Sequence, residues 1–232
     1  MEMYMEKLQQ DKSRYERKYH VDQNSAWKFR HMLNTKGFKI SYPKRKINSI
    51  YFDTYNYSFF KDNVEGVKKR IKPRIRWYES VNPSLKYINK LTLEIKKKEG
   101  FIGTKEFYNL DLKIKNNEIF KIVNDFNFLK KISLIVGKNV FPVIQTSYLR
   151  EYYLSKNNKF RSTIDTNLNV KNIKTQNNIE LPIRKEIMEI KYSIKDDEDF
   201  RNTIVNKNFN FRFQKFSKYV TGLLDLKKNG FI

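Results

Sequence analysis

The dominant pattern along this chain is an alternation of period two, the mark of strands whose two faces differ. Tyr15–Val21 sets Glu16, Lys18 and His20 against Tyr15, Arg17, Tyr19 and Val21. Ile47–Phe52 reads as a second strand. Lys68–Tyr78 places Lys68, Arg70, Lys72, Arg74, Arg76 and Tyr78 opposite Ile71, Pro73, Ile75 and Trp77. Pro73 cannot donate a ladder hydrogen bond, so a bulge or break is expected there. Leu91–Lys98 sets Thr92, Glu94, Lys96 and Lys98 against Leu91, Leu93 and Ile95. Val143–Leu154 aligns Tyr148, Arg150 and Tyr152; Lys159–Thr166 aligns Arg161, Thr163 and Asp165; Lys185–Ser193 aligns Ile187, Glu189, Lys191 and Ser193. Helical spacing predicts a helix from Asn24 or Ser25 to Gly37, and another over Asn117–Val136. A third starts in the acidic turn Asp196–Asp199, and a last one carries Phe213, Phe216, Val220 and Leu223. Lys171–Asn178 reads as a polar loop.

The polar faces repeat one unusual chemistry. Glu-x-Lys occurs on three strands, as Glu16/Lys18, Glu94/Lys96 and Glu189/Lys191. A spacing of two puts both charges on one face. Taken singly, each pair reads as a surface ion pair of little energetic weight. Repetition on five strands points instead to an inward lining. The expected architecture is therefore α+β: an antiparallel β-barrel tunnel, helices packed outside, in a single domain spanning 1–232. Trp77, Phe101 and Phe107 are expected to pack on the barrel exterior, and Lys68, Arg70 and Lys72 to lie near its mouth.

Composition sharpens this picture. Hydrophobic residues make up 39% of the 232, enough for a core, while the formal net charge of +23 calls for an anionic partner. Two like charges about 6 Å apart repel by roughly 3 kcal/mol at an effective dielectric near 20, so a cationic lumen suits a linear polyanion. Arg offers phosphate a bidentate fork and Lys a point charge. Carboxylates in such a lining make sense if a divalent cation is shared with phosphate oxygens. Cysteine is absent and only His20 and His31 occur, so the metal must be oxygen-held, which favours Mg²⁺ or Mn²⁺. Met1–Arg14 has no apolar leader, and the apolar stretch Ile132–Val136 is too short for a membrane segment. A soluble, cytoplasmic protein is expected. The aromatics fall mostly opposite the cations, which argues against nucleic acid as the partner.

Several segments, in order, resemble the VTC domain, the polyphosphate polymerase branch of the CYTH or triphosphate tunnel metalloenzymes. They are Arg14-Tyr15-Glu16-Arg17-Lys18-Tyr19, Ile50-Tyr51-Phe52-Asp53-Thr54, Arg74-Ile75-Arg76-Trp77-Tyr78, and Leu93-Glu94-Ile95-Lys96 followed by Lys105. Ser147-Tyr148-Leu149-Arg150, Arg161-Ser162-Thr163-Ile164-Asp165, Met188-Glu189-Ile190-Lys191 and Phe216-Ser217-Lys218-Tyr219 complete the set. The resemblance implies phosphate ligands at Lys18, Arg74, Arg76, Lys96, Lys105, Arg150, Arg161, Lys191, Ser217 and Lys218. Tyr148 either joins them or fills core. Glu189 and Glu16 are the implied metal ligands, although Glu16 and Glu94 alternatively orient neighbouring lysines. Asp165 is expected to position Arg161.

The activity implied is transfer of the γ-phosphate of ATP, or another nucleoside triphosphate, to inorganic polyphosphate. Arg74, Arg76, Lys96, Lys191 and Glu189 would carry the catalysis. The hydrolytic branch usually opens with Glu-x-Glu-x-Lys, whereas Arg14 stands at the first of those positions here. That favours the polymerase. The alternatives are an inorganic triphosphatase or nucleotide triphosphatase, and a non-catalytic polyphosphate-binding module. No membrane segment or additional domain accompanies the motifs, so export by this chain alone is not expected.

Overall fold

The alternating strands assemble into one curled antiparallel sheet. The computed structural model describes residues 5–9, 14–80, 87–88, 90–99, 102–110, 114–115, 118–173, 179–205 and 210–232. The sheet order is β1 (Met5–Gln9), β7 (Ile102–Leu110), β6 (Leu91–Glu99), β4 (Lys69–Ser80), β3 (Phe38–Asp53), β9 (Phe141–Ser155), β10 (Arg161–Asn172), β12 (Lys185–Ser193) and β2 (Arg14–Asp22). A short β11 (Glu180–Pro182) adds to β10, and β5 (Tyr87–Ile88) pairs separately with β8 (Ile114–Lys115).

The outward residues bury against helices. Phe52, Ile75, Trp77, Leu91, Leu93, Ile95 and Leu110 pack beneath α3 (Ile119–Val123) and α4 (Phe126–Val136), which contribute Val123, Phe128 and Ile132. Tyr153, Ile164, Met188, Ile190 and Tyr192 pack with α1 (Trp27–Thr35) and α5 (Asp197–Thr203) through Phe29, Leu33 and Phe200. Trp77 is thus an exterior packing residue, as its alternation implies. α6 (Lys218–Lys228) behaves differently. With α2 (Ser58–Glu65) it covers Tyr51, Ile144, Leu168 and Val170. A Cβ on Gly222 of α6 would stand 2.9 Å from Val170, so this close approach requires glycine.

The barrel is not closed by hydrogen bonds. Among the described residues, β1 and β2 end the strand order without pairing to each other. The C-terminal segment spans the side of β2 instead. Gln214 donates its backbone N–H to the Lys18 carbonyl at 3.0 Å, and Lys18 Nζ donates to the Phe216 carbonyl at 3.4 Å. Lys72 Nζ, from the far side, donates to Ser217 Oγ at 3.1 Å. The expected closed barrel is therefore a curled open sheet whose gap is crossed by chain and side chains.

Other local expectations change too. β4 carries no bulge at Pro73, which pairs in register with Ile95; pairing to β3 stops at Arg74, so no donor is needed on that side. The helix expected over Asn117–Val136 is two helices, because Asp125 takes extended backbone and its carboxylate accepts the Phe128 N–H at 2.9 Å as an N-cap. Phe213 and Phe216 precede the last helix, which Ser217 caps. β10 runs to Asn172, into the expected loop; 174–178 lie outside the described residues, as does Phe101. Phe107 stands opposite Glu94 in the register, on the concave face and not the exterior, because it shares parity with Lys105.

Candidate functional site

The register converts three Glu-x-Lys repeats into a charge lattice. On β2 and β12, Lys18 stands opposite Glu189 and Glu16 opposite Lys191, so antiparallel pairing makes a checkerboard. Lys18 Nζ lies 3.0 Å from Glu16 and 3.4 Å from Glu189, and Lys191 pairs with Glu189. Lys96 reaches across from β6 to Glu16 at 4.0 Å. This contact shows that the two ends of the sheet face one another across the concavity.

On the β4–β6 side, Glu94 stands opposite Arg74. Arg74 Nε donates to Glu94 at 2.8 Å, and Arg76 lies 3.3 Å from its other oxygen. One strand step along, Lys72, Lys96 and Lys105 form a row across β4, β6 and β7. On β9 and β10, Arg150 grips Asp165 with two bonds of 2.6 and 2.7 Å, and Lys218 adds a third at 2.6 Å. Tyr148 is fully buried; its hydroxyl accepts from Arg76 at 3.3 Å and Lys218 lies 4.4 Å from its ring centre.

The lining thus holds nine cations (Lys18, Lys72, Arg74, Arg76, Lys96, Lys105, Arg150, Lys191 and Lys218) and four carboxylates (Glu16, Glu94, Asp165 and Glu189). Burial alone would raise these carboxyls; the cations overcome it. Arg74 and then Arg76 hold Glu94 at about 2, and Arg150 and Lys218 hold Asp165 at about 2. Glu189 is held well below its usual range by Lys191, Lys18 and Arg150 against the same burial. The lysine row has the opposite fate. Burial, then Lys96 and Lys18, lowers Lys72 to about 7; burial, then Lys191 and Lys96, lowers Lys105 to about 8.

Buried polar atoms without partners also face this space. Among the described residues Arg76 Nε, Ser49 Oγ, Thr146 Oγ1 and Thr163 Oγ1 have none, and Ser49 stands opposite both Arg76 and Thr146. Unpaired buried donors are costly and call for a ligand or water. The sequence reading missed Ser49 and Thr146; their signal was small polar residues at positions of tunnel-facing parity. It also placed Lys72 at the mouth, whereas Lys72 lies inside between Lys96 and Ser217.

Of the remaining expected residues, Lys105, Ser217 and Lys218 join this lining. Arg161 shares its face, opposite Lys191, but begins its strand and is exposed. Asp165 does not position Arg161. Four residues of strand separate them by about 13 Å, and Asp165 instead binds Arg150 and Lys218.

Among the described residues, no three metal-ligating side chains cluster. Glu16 and Glu189 do converge on a single point, the Lys18 ammonium. Two carboxylates completed by phosphate oxygens and water form the donor set Mg²⁺ or Mn²⁺ takes in phosphate-handling sites, so these residues fit such an ion held together with its substrate. No helix among the described residues is long and apolar enough to cross a membrane.

A curled antiparallel sheet with a charged concave face and outer helices defines the triphosphate tunnel class of fold. One solved structure shares the fold at a TM-score above 0.5, and others are similar at lower scores. A candidate adenylate cyclase from Bacillus halodurans matches with a TM-score of 0.51 at 12% identity, over 89% of this chain and 94% of that one. A candidate adenylyl cyclase from Hippeastrum, described as having a dominant triphosphatase activity, gives 0.49 at 12% identity, over 95% and 97%. The PH1819 protein of Pyrococcus horikoshii gives 0.46 at 15%, over 91% and 99%. No protein of curated function matches the chain. The family model of the VTC domain matches residues 13–227, and the chain belongs to that family.

Proposed function

We propose that this protein is a polyphosphate polymerase that moves the γ-phosphate of ATP, or another nucleoside triphosphate, onto an inorganic polyphosphate chain held in the tunnel. The observation that carries this reading is the length of the cationic track. Along β4, tunnel-facing Arg76, Arg74, Lys72 and Arg70 follow one another over about 20 Å of strand, with Lys96, Lys98 and Lys105 alongside. A track that long suits a polymer better than a single triphosphate, and keeps the product bound for another addition.

In this reading Arg74, Arg76, Lys96, Arg150 and Lys191 grip phosphate oxygens, supported by Lys18, Lys105, Tyr148, Ser217 and Lys218. Arg161 meets the chain at the tunnel edge. The terminal oxygen of the polyphosphate attacks the γ-phosphorus, and the β,γ-bridging oxygen departs with ADP. Alignment and charge neutralisation supply the catalysis, so no nucleophilic side chain is needed. Mg²⁺ or Mn²⁺, when bound by Glu189 and Glu16, would offset charge on the phosphate oxygens. Arg14 in place of a further carboxylate leaves fewer ligands for a second ion that would activate water. It is exposed at the start of β2, opposite Ser193.

Incubation with ATP and Mn²⁺ tests the proposal. Acid-insoluble polyphosphate and ADP are expected. Stoichiometric orthophosphate without polymer would make the protein a triphosphatase. Tight polyphosphate binding with no ADP would make it a binding module.

A further inference from the structure

Beyond the phosphate-binding layers, one end of the concave face changes character. Arg45 stands opposite Arg150, Tyr152 lies two residues past Arg150, and Tyr78 two residues past Arg76. Tyr42 stands opposite Tyr152. The Arg45 guanidinium carbon lies 4.3 Å from the Tyr42 ring centre, 4.6 Å from Tyr78 and 4.8 Å from Tyr152, and its Nε donates to the Tyr152 hydroxyl at 3.2 Å. Among the described residues Arg45 has no carboxylate within ion-pair distance, unlike Arg74, Arg76 and Arg150.

These rings are not filling core. Tyr42 is 50% exposed and Tyr78 43%. The deeper tyrosines of the same face are covered: Tyr51 stacks on Tyr219 at 5.1 Å, and Tyr148 is buried beneath Lys218. Phosphate has no flat face to lay on an aromatic ring. A nucleobase does, and it stacks equally well on tyrosine and on a guanidinium plane. Two residues of strand cover about 7 Å. A triphosphate held at its α end near Arg76 and Arg150 would therefore carry its ribose and base outward into this cluster.

We infer that Tyr42, Tyr78 and Tyr152 around Arg45 form the nucleobase subsite of a nucleoside triphosphate, at the mouth of the tunnel. The inference rests on the functional reading above and adds a direction to it. With the base at this mouth, the γ-phosphate points inward toward Lys96, Lys72 and Lys105. The acceptor chain then lies beyond it, toward Arg70 and Lys98. Stacking on aromatic faces is indifferent to the base edge, so the cluster would accept adenine and guanine alike.

The test is calorimetric titration of ATP, and separately of tripolyphosphate, which has no base, into wild type and the Tyr42→Leu/Tyr78→Leu double variant. Loss of stacking should weaken ATP about tenfold and leave tripolyphosphate within about twofold. Tyr78→Trp, which keeps an aromatic face, should retain ATP binding. Equal weakening of both ligands would mean that the rings support the tunnel itself, and unchanged ATP binding would mean that the base lies elsewhere; either overturns the subsite. Wild type that fails to bind tripolyphosphate would instead remove the underlying function, and the subsite with it.

Discussion

Asp165→Asn separates what holds the empty tunnel together from what binds its ligand. Asp165 is 2% exposed and carries three bonds from Arg150 and Lys218. Burial would raise its carboxyl, but the two cations hold it at about 2, against an ordinary value of 3.8. A lowered folded-state value means stability that is present above pH 3.8 and lost as pH falls through 2. The difference corresponds to about 2 kcal/mol. The amide of Asn keeps the shape but leaves Arg150 and Lys218 without a counter-charge, and breaking a buried pair costs about 3–5 kcal/mol. For a chain of this length the melting temperature should fall by about 6–20 °C. Tripolyphosphate should bind more tightly, because two cations are freed to face it. It should also restore more of the melting temperature in the variant than in wild type. Thermal denaturation at neutral pH, with and without tripolyphosphate, reads both effects. A loss below about 1 kcal/mol together with unchanged affinity would refute the assignment of Asp165 as the internal counter-ion of this wall.

Glu189→Gln should abolish metal-dependent turnover yet leave polyphosphate binding intact or stronger, as equilibrium binding with and without Mn²⁺ would show; unchanged turnover removes Glu189 from the mechanism. Arg76→Ala should weaken tripolyphosphate by about 1.5–3 kcal/mol, read by calorimetry, and an effect within twofold would place phosphate elsewhere. Lys105 gains its proton as pH falls through about 8 and Lys72 as it falls through about 7, and a polyanion favours the protonated forms, so polyphosphate affinity should drop between pH 6.5 and 9. Lys72→Arg, always charged, should flatten that profile; an equally steep profile would contradict the lowered lysine.

Much of the charged lining was legible because alternation is a strictly local property. Glu16/Lys18, Glu94/Lys96 and Glu189/Lys191 each announce a two-faced strand, and only their repetition says that the face is shared. What alternation cannot give is register. It does not show that Asp165 meets Arg150 and Lys218, since those contacts join β9, β10 and α6. Glu16, Glu94 and Glu189 were legible as members of the lining, but not that Arg74 and Arg76 share Glu94, a contact that depends on the β4–β6 register. Closure was beyond the sequence for a similar reason. The spacing of Phe213 and Phe216 assigns Gln214–Ser217 to the last helix, whereas the segment meets β2 and Lys72 once the sheet has curled. Phe107 shares parity with Lys105 and so lies on the concave face, against the exterior position that the hydrophobicity of an aromatic side chain alone suggests.

The most direct test of the tunnel as a phosphate site is a crystal structure with tripolyphosphate and Mn²⁺. The account predicts the anion along the concave face, its oxygens on Arg74, Arg76, Lys96, Arg150 and Lys191, with Mn²⁺ between those oxygens and Glu189. Tripolyphosphate seated on the outer basic surface, with the Glu94, Asp165 and Glu189 ion pairs undisturbed and the lumen holding only water, would contradict it.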